Sequence, residues 1–458
     1  MGMMFSEILN YIPTIRYPER QVIFKERLVW TLISLIIYFM LSNLPLIGVS
    51  SESLAYFEQI SIIFGAAMGT FAMLGIGPIV TASIIMQLLV GSGLIKVDLN
   101  TFEGRAWFQG MQKLLAIIFS FLESTSMVVF GALKPEIPTL EWSLFIIFQV
   151  ALGSIIIIYL DDLISKWGIG SGVSLFILAG VSKGLFIRSF SFTRVGEGFV
   201  GVIPQIIYSI VNGIENISVF ISAYIIPLLT TLIIFISVVY AQSLRVEIPL
   251  VLSSFRGFGR KWPLKFIYTS NMPVILASAL LINLQLWGQM LYNRGISLLG
   301  SFSANGQPIG GVVYYLTPPR TFIIDVFTSN ISMTEALRAL SYTLYMIIFS
   351  VIFAVFWVNT SGMDARSVAN QIVNAGMQIP GFRRDPRVME KVLERYIPPL
   401  TVLGGGFVGL LAAFADLLGA LTSGTGLLLA VMIAHNMYEL IVQYNIEEMP
   451  SLLRRFIK

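Results

Sequence analysis

Six side chains able to hold a proton, an ion or a strong hydrogen bond stand in stretches otherwise built from apolar residues. They are Thr81 and Gln87 within "GIGPIVTASIIMQLLVGSG" (75–93), then Glu123, Asn283, Asp416 and His435. His435 is the single histidine of the chain, so neither an H-E-x-x-H pair nor any multi-histidine metal site can be assembled. There is no cysteine, which removes disulfides, thiolate nucleophiles and cysteine-bound metals. No glycine is followed by lysine, so the phosphate-binding G-x-x-x-x-G-K-[ST] loop is missing, and "GIGSG" at 168–172 lacks the G-x-G-x-x-G spacing of a dinucleotide turn. Neither a Ser-His pair nor an aspartate dyad stands in a recognisable context for an intramembrane protease. The residues therefore predict no catalysis, no metal and no cofactor, and whatever this chain moves is driven from elsewhere. The chemistry left to the six is hydrogen bonding between apolar helices, where polar groups face protein or water rather than lipid.

The elements that must position them follow from composition. Of 458 residues 56% are hydrophobic and 12% charged, and the mean hydropathy is +0.82, far outside the range of ordinary soluble domains. A hydrocarbon core about 30 Å thick takes about 20 apolar residues per helix. Ten such stretches are expected, at 29–47, 71–92, 107–131, 142–160, 171–187, 217–241, 266–291, 336–358, 397–418 and 425–442. Continuous runs of this length argue against a barrel of alternating strands, and in lipid the helix satisfies its own backbone. The fold class is an all-α polytopic membrane protein. Lys and Arg are most concentrated around 245–265 and 362–395, a distribution that puts both termini in the cytosol. The first 25 residues have no removable signal and read as an interfacial amphipathic helix.

Breakers interrupt the pattern at one place. "LAYFEQISIIFGAA" (54–67) is too short to span and is followed by Gly69, Gly75, Gly77 and Pro78, so a helix enters, breaks and restarts. Irregular backbone at membrane depth is tolerated only against protein or a water-filled cavity. A broken second helix thus predicts a lined cavity.

Six ordered motifs carry a resemblance: "GIGPIVTASIIMQLLVGSG", "FQGMQKLLAI" (108–117), "YLDDLISKWGIGSG" (159–172), "RVEIPL" (245–250), "SNMPVILASAL" (270–280) and "RYIPPLTV" (395–402). Together the chain resembles the SecY family, the channel-forming subunit of the Sec protein translocon, with archaeal-looking wording. The resemblance implies two inverted five-helix halves, here 28–190 and 217–443. They would be flanked by an N-terminal segment (1–27), joined by an external hinge loop (191–216), and followed by a cytosolic tail (444–458); no residue-level repeat is evident in the sequence itself. It implies a plug half-helix over about 54–68, with Tyr56, Phe57, Ile60, Ile63 and Phe64. It further implies a pore ring of Ile76, Val80, Val173, Ile177, Ile275 and Leu429, and a lateral gate whose polar cluster is Thr81, Glu123 and Asn283, with Gln87 as a neighbour. Arg256 and Arg383 match ribosome-contacting arginines in the loops after the sixth and eighth spans. The implied partners are the ribosome, a SecE-type gamma subunit, a small beta subunit, signal peptides with their nascent chains, and the lipid bilayer of the cell (plasma) membrane.

From the residues alone the main rival is an ion-coupled secondary transporter, which also uses inverted repeats and broken helices. Coupling normally leaves ionisable groups deep in several spans, and here these are chiefly Glu123, Asp416 and His435.

Overall fold

The computed structural model describes residues 13–20, 22–50, 69–91, 93–97, 99, 101–129, 133–195, 198–214, 217–252, 259–303, 307–319, 322–327, 332–374, 377–378 and 385–443. Ten helices dominate them: α1 Phe24–Leu41, α2 Gly77–Gly91, α3 Phe102–Val129, α4 Leu140–Trp167, α5 Gly172–Phe190, α6 Ile226–Ser243, α7 Met272–Asn293, α8 Met333–Thr360, α9 Ile397–Leu417 and α10 Gly424–Gln443. Eight helical stretches among the described residues, from α3 to α10, are long and apolar enough to cross a membrane. Large apolar residues on them face outward, among them Leu232, Ile233 and Ile236 on α6 and Leu340, Leu344 and Ile348 on α8. That exposure is stable only against hydrocarbon.

Local chemistry explains the boundaries. Pro273 and Pro398 stand in the first turns of α7 and α9, where a missing N–H costs nothing, whereas Pro227 lies inside the continuous run 217–243, just after its π turn. Ser332 caps α8 by accepting from the Glu335 amide at 3.2 Å, the S-x-x-E pattern of a capping box. The run into α6 starts as Ile217–Phe220 and passes through a π turn at Ile221–Ile225. α3 and α4, each 28 residues long, reach beyond the 107–131 and 142–160 expected for them.

Two expectations need correction. The second span does not begin at 71: residues 71–76 are turns, and α2 begins at Gly77 and runs for 15 residues, about 22 Å. Gly69 and Gly75 take positive φ of 64° and 52°, a conformation that costs glycine little. Nor are residues 13–20 helical, because Pro13 and Pro18 deny the segment a helical ladder. They run extended across the ends of α3 and α4, the Ile15 amide donating to Asp162 and Lys166 Nζ to the Ile15 carbonyl at 2.6 Å. Residues 1–12, the plug stretch 54–67 with Tyr56, Phe57, Ile60, Ile63 and Phe64, and both Arg256 and Arg383 lie outside the described residues.

The helices form two packed groups. In one, α2 packs on α3, α3 on α4, and α4 on α1 and α5; in the other, α7 packs on α8 and α9, and α8 on α9. The groups meet where α2 touches α7 and α8, and again where α10, packed on α6 and α9, touches α5. Close backbone approach is needed at Gly153 on α4, where an added Cβ would sit 1.8 Å from the Phe71 carbonyl oxygen. β structure adds to the all-α core in the loops: β1 Arg245–Leu252 pairs antiparallel with β2 Gly259–Lys265, and β1 also pairs with β3 Met377–Gln378 through Val251 and Leu252. Ile248 and Leu264 of this sheet share an apolar cluster with Val368, Ile372, Met389 and Leu393.

Candidate functional site

The six aliphatic residues of the expected ring come from α5, α7, α10 and the start of α2, and all lie in or against the main apolar core, to which each of the ten helices contributes. Ile76, Val80, Ile177, Ile275 and Leu429 are buried members, and Val173 is a partly buried neighbour packed against them. The spacing explains the convergence: Ile76 and Val80, and Val173 and Ile177, are four apart and so share a helix face. Ile76 sits in the last turn before α2, where Gly75 and Gly77 let the chain close onto the core.

Beside it, three polar residues from three helices meet. Thr81 on α2 donates to Glu123 Oε1 on α3 at 3.0 Å and also to the Gly77 carbonyl at 3.0 Å. Asn283 Nδ2 on α7 donates to Thr81 Oγ1 at 3.2 Å. Thr81 and Asn283 are 4% and 7% exposed, and the triad ties α2 and α3 to α7 across the contact between the two groups. Gln87, six residues beyond Thr81, is 2% exposed but does not join: its Oε1 has no hydrogen-bond partner among the described residues. A second polar tie between α2 and α3 was not anticipated: Gln112 Nε2 donates to Ser83 Oγ. Ser83 and Gln112 are ordinary helix-surface types, and only the packing of α2 on α3 singles them out.

The other ionisable groups in the spans have local tasks. Asp416 at the end of α9 accepts from Tyr342 of α8 at 2.6 Å, from the Gly424 amide at 2.7 Å and from the Thr425 hydroxyl. His435 Nε2 lies 3.6 Å from Glu439 on its own helix, and Glu439 is paired with Lys265. Asp162 is held between Lys113 at 2.9 Å and Lys166 at 2.8 Å. Among the described residues no group of three or more His, Asp or Glu could hold a metal ion. The seventh helix begins at Met272 and not at 266, and in the turns before it, outside the spans, burial pushes the Tyr268 hydroxyl up to about 12; it donates to the Met363 carbonyl at 2.7 Å.

The SecY family profile matches residues 70–438, and that of the plug domain of Sec61p matches residues 36–69. The protein translocase subunit SecY of Methanocaldococcus jannaschii is 43% identical over 98% of each chain. A solved protein-conducting channel superimposes with a TM-score of 0.83 at 43% identity, covering 96% of this chain and 97% of that one. Sec61 in the canine ribosome-channel complex from the endoplasmic reticulum gives a TM-score of 0.80 at 43% identity, with the same coverage. With two fifths of its residues identical to such proteins over nearly its entire length, and with the same fold, this multi-pass membrane protein belongs to the SecY family.

Proposed function

We infer that this chain is a protein-conducting channel, carrying unfolded polypeptides across the membrane through an aliphatic ring and releasing apolar segments sideways into lipid. One observation supports this best: the hydrogen bonds joining Thr81, Glu123 and Asn283 cross the contact between the two helix groups, directly beside the buried Val80. A transporter reading loses its support, since Asp416 and His435 are engaged in local helix contacts. In this reading Ile76, Val80, Val173, Ile177, Ile275 and Leu429 form the seal. Thr81, Glu123 and Asn283 latch the lateral gate, with Gln87 further along the same seam. Residues 54–68 serve as the plug, and 28–190 and 217–443 are the inverted halves with both termini cytosolic. The channel is not an enzyme, and the force comes from a partner.

The family's Sec61 member occurs in a ribosome-channel complex, and the same partnership is proposed here. β1 and β2 flank the stretch that carries Arg256, and β3 ends five residues before Arg383; exposed guanidinium groups there would suit phosphate-rich RNA. A SecE-type gamma subunit, a small beta subunit and signal peptides complete the assembly. Because the chain has no cysteine, single cysteines at the six ring positions can be crosslinked cleanly to a stalled secretory chain carrying one probe. Crosslinks from several helices to one probe position are expected, and their absence from all six refutes the reading.

A further inference from the structure

The two groups use one device twice. In α4, Asp161 reaches forward over the turn and its Oδ1 accepts from the Val173 amide at 2.8 Å, with the Gly172 amide as a second donor. In α9, Asp416 does the same for the next helix: its Oδ1 accepts from the Gly424 amide at 2.7 Å and the Thr425 amide at 3.3 Å. Each helix so capped starts with a Ser-Gly pair, Ser171-Gly172 in α5 and Ser423-Gly424 in α10. Both glycines are required by close approach to the preceding helix. A Cβ on Gly172 would lie 2.5 Å from the Asp161 Cα, and one on Gly424 would lie 2.3 Å from the Asp416 amide nitrogen.

These are also the helices that bring Ile177 and Leu429 to the ring. Ile177 is the fifth residue after Gly172 and Leu429 the fifth after Gly424, so each stands about 7.5 Å along its helix from the cap and at the same angle around the axis. Both are fully buried. α5 and α10 run in opposite directions: Arg188, in the last turn of α5, donates to the Leu421 carbonyl just before α10. The two caps therefore sit at opposite ends of the packed pair, with the two aliphatic side chains between them.

We propose that Asp161 and Asp416 are matched positioning residues that set the depth of Ile177 and Leu429 in the ring, each from its own side of the membrane. The inference rests on the channel reading above. Loss of a carboxylate leaves two amides of the first turn unsatisfied, and the turn then opens roughly fivefold more often, taking the ring residue out of register with its neighbours. Asp162, adjacent to Asp161 but bonded to Lys113, Lys166 and the N-terminal segment, caps no helix and provides the control.

The test reads resting potassium chloride current through the purified channel complex in planar bilayers. Asp161→Ala and Asp416→Ala are expected to raise the resting leak about fivefold. Asp161→Asn and Asp416→Asn, which keep an acceptor oxygen in place, return the leak to within about twofold of the parent, and Asp162→Ala leaves it unchanged. Asp161→Glu and Asp416→Glu keep the charge but lengthen the arm by one methylene, and they carry the test if an alanine variant does not accumulate. A leak from them supports the proposal and a tight seal overturns it. A leak from Asp162→Ala as large as that from Asp161→Ala, or no rescue by asparagine, overturns it as well. Ile177→Gly and Leu429→Gly separate the two layers. If they leak while the aspartate variants seal, only the positioning role fails; if they seal too, the channel reading fails with it.

Discussion

Asn283 gives the sharpest test of the seam, because two substitutions should move it in opposite directions. Asn283→Ala removes the 3.2 Å bond to Thr81 and puts little apolar surface in its place. Interhelical hydrogen bonds in membranes are worth about 0.6 kcal/mol, so the closed seam weakens by that much, near the contribution of one leucine in a crossing segment. Asn283→Leu removes the same bond but leaves an aliphatic side chain in a site only 7% exposed when closed. In the channel reading the parted seam turns position 283 towards the water-filled pore, where an exposed leucine costs about 1.5 kcal/mol even at the low end, so the closed state gains about 0.9 kcal/mol net, close to two leucines on the insertion scale. The assay is translocation by the reconstituted complex of reporters whose signal segments carry a graded number of leucines. The midpoint is expected to fall by about one leucine for Asn283→Ala and to rise by about two for Asn283→Leu. Midpoints that move in the same direction, or not at all, would refute the assignment of Asn283 to a latch.

Reversing both loop arginines, Arg256→Glu with Arg383→Glu, is expected to flatten the salt dependence of ribosome binding by roughly 1.5 in log–log slope, read by co-sedimentation over a salt series. Gly153→Ala forces a methyl group against the Phe71 carbonyl and should cost about 1–3 kcal/mol, seen as a lower melting temperature in detergent. Tyr268, held protonated up to about 12 against an ordinary value of 10, contributes stability that is complete below pH 10 and lost as pH rises from there towards 12. Tyr268→Phe should remove that part of the alkaline transition in a pH-jump unfolding experiment.

Much of this was legible in the residues. Long apolar runs leave the backbone one way to satisfy itself in lipid, so the helices announce themselves, while their starts are less plain: the seventh was expected from 266 and begins at Met272. Thr81, Glu123 and Asn283 stood out because polar groups are costly there, and the fold does bring them together. Gln87 stood out for the same reason and stays apart, since polarity in a span signals a need for partners without naming them. The start of α2 was misplaced because residues 71–76 are as apolar as a helix while the glycines around them hold the chain in turns. The caps were invisible for a different reason. Asp161 and Asp416 bond to amides 8 to 12 residues onward, across a turn whose path depends on how two helices pack, and local patterns carry no such information. β3 escaped notice because it is only two residues long, and β1 and β2 because each carries a proline, Pro249 and Pro263, that weakens a strand pattern.

That short strand joins loops from two ends of one block. β1 and β2 connect α6 to α7, β3 lies between α8 and α9, and Ile248 and Leu264 pack with Val368 of the helix Ala365–Asn374 and Met389 of the helix Pro386–Leu393. A body that grips the β1–β2 hairpin thus holds a handle tied through β3 to the connection between α8 and α9, and α7 and α8 are the helices that meet α2.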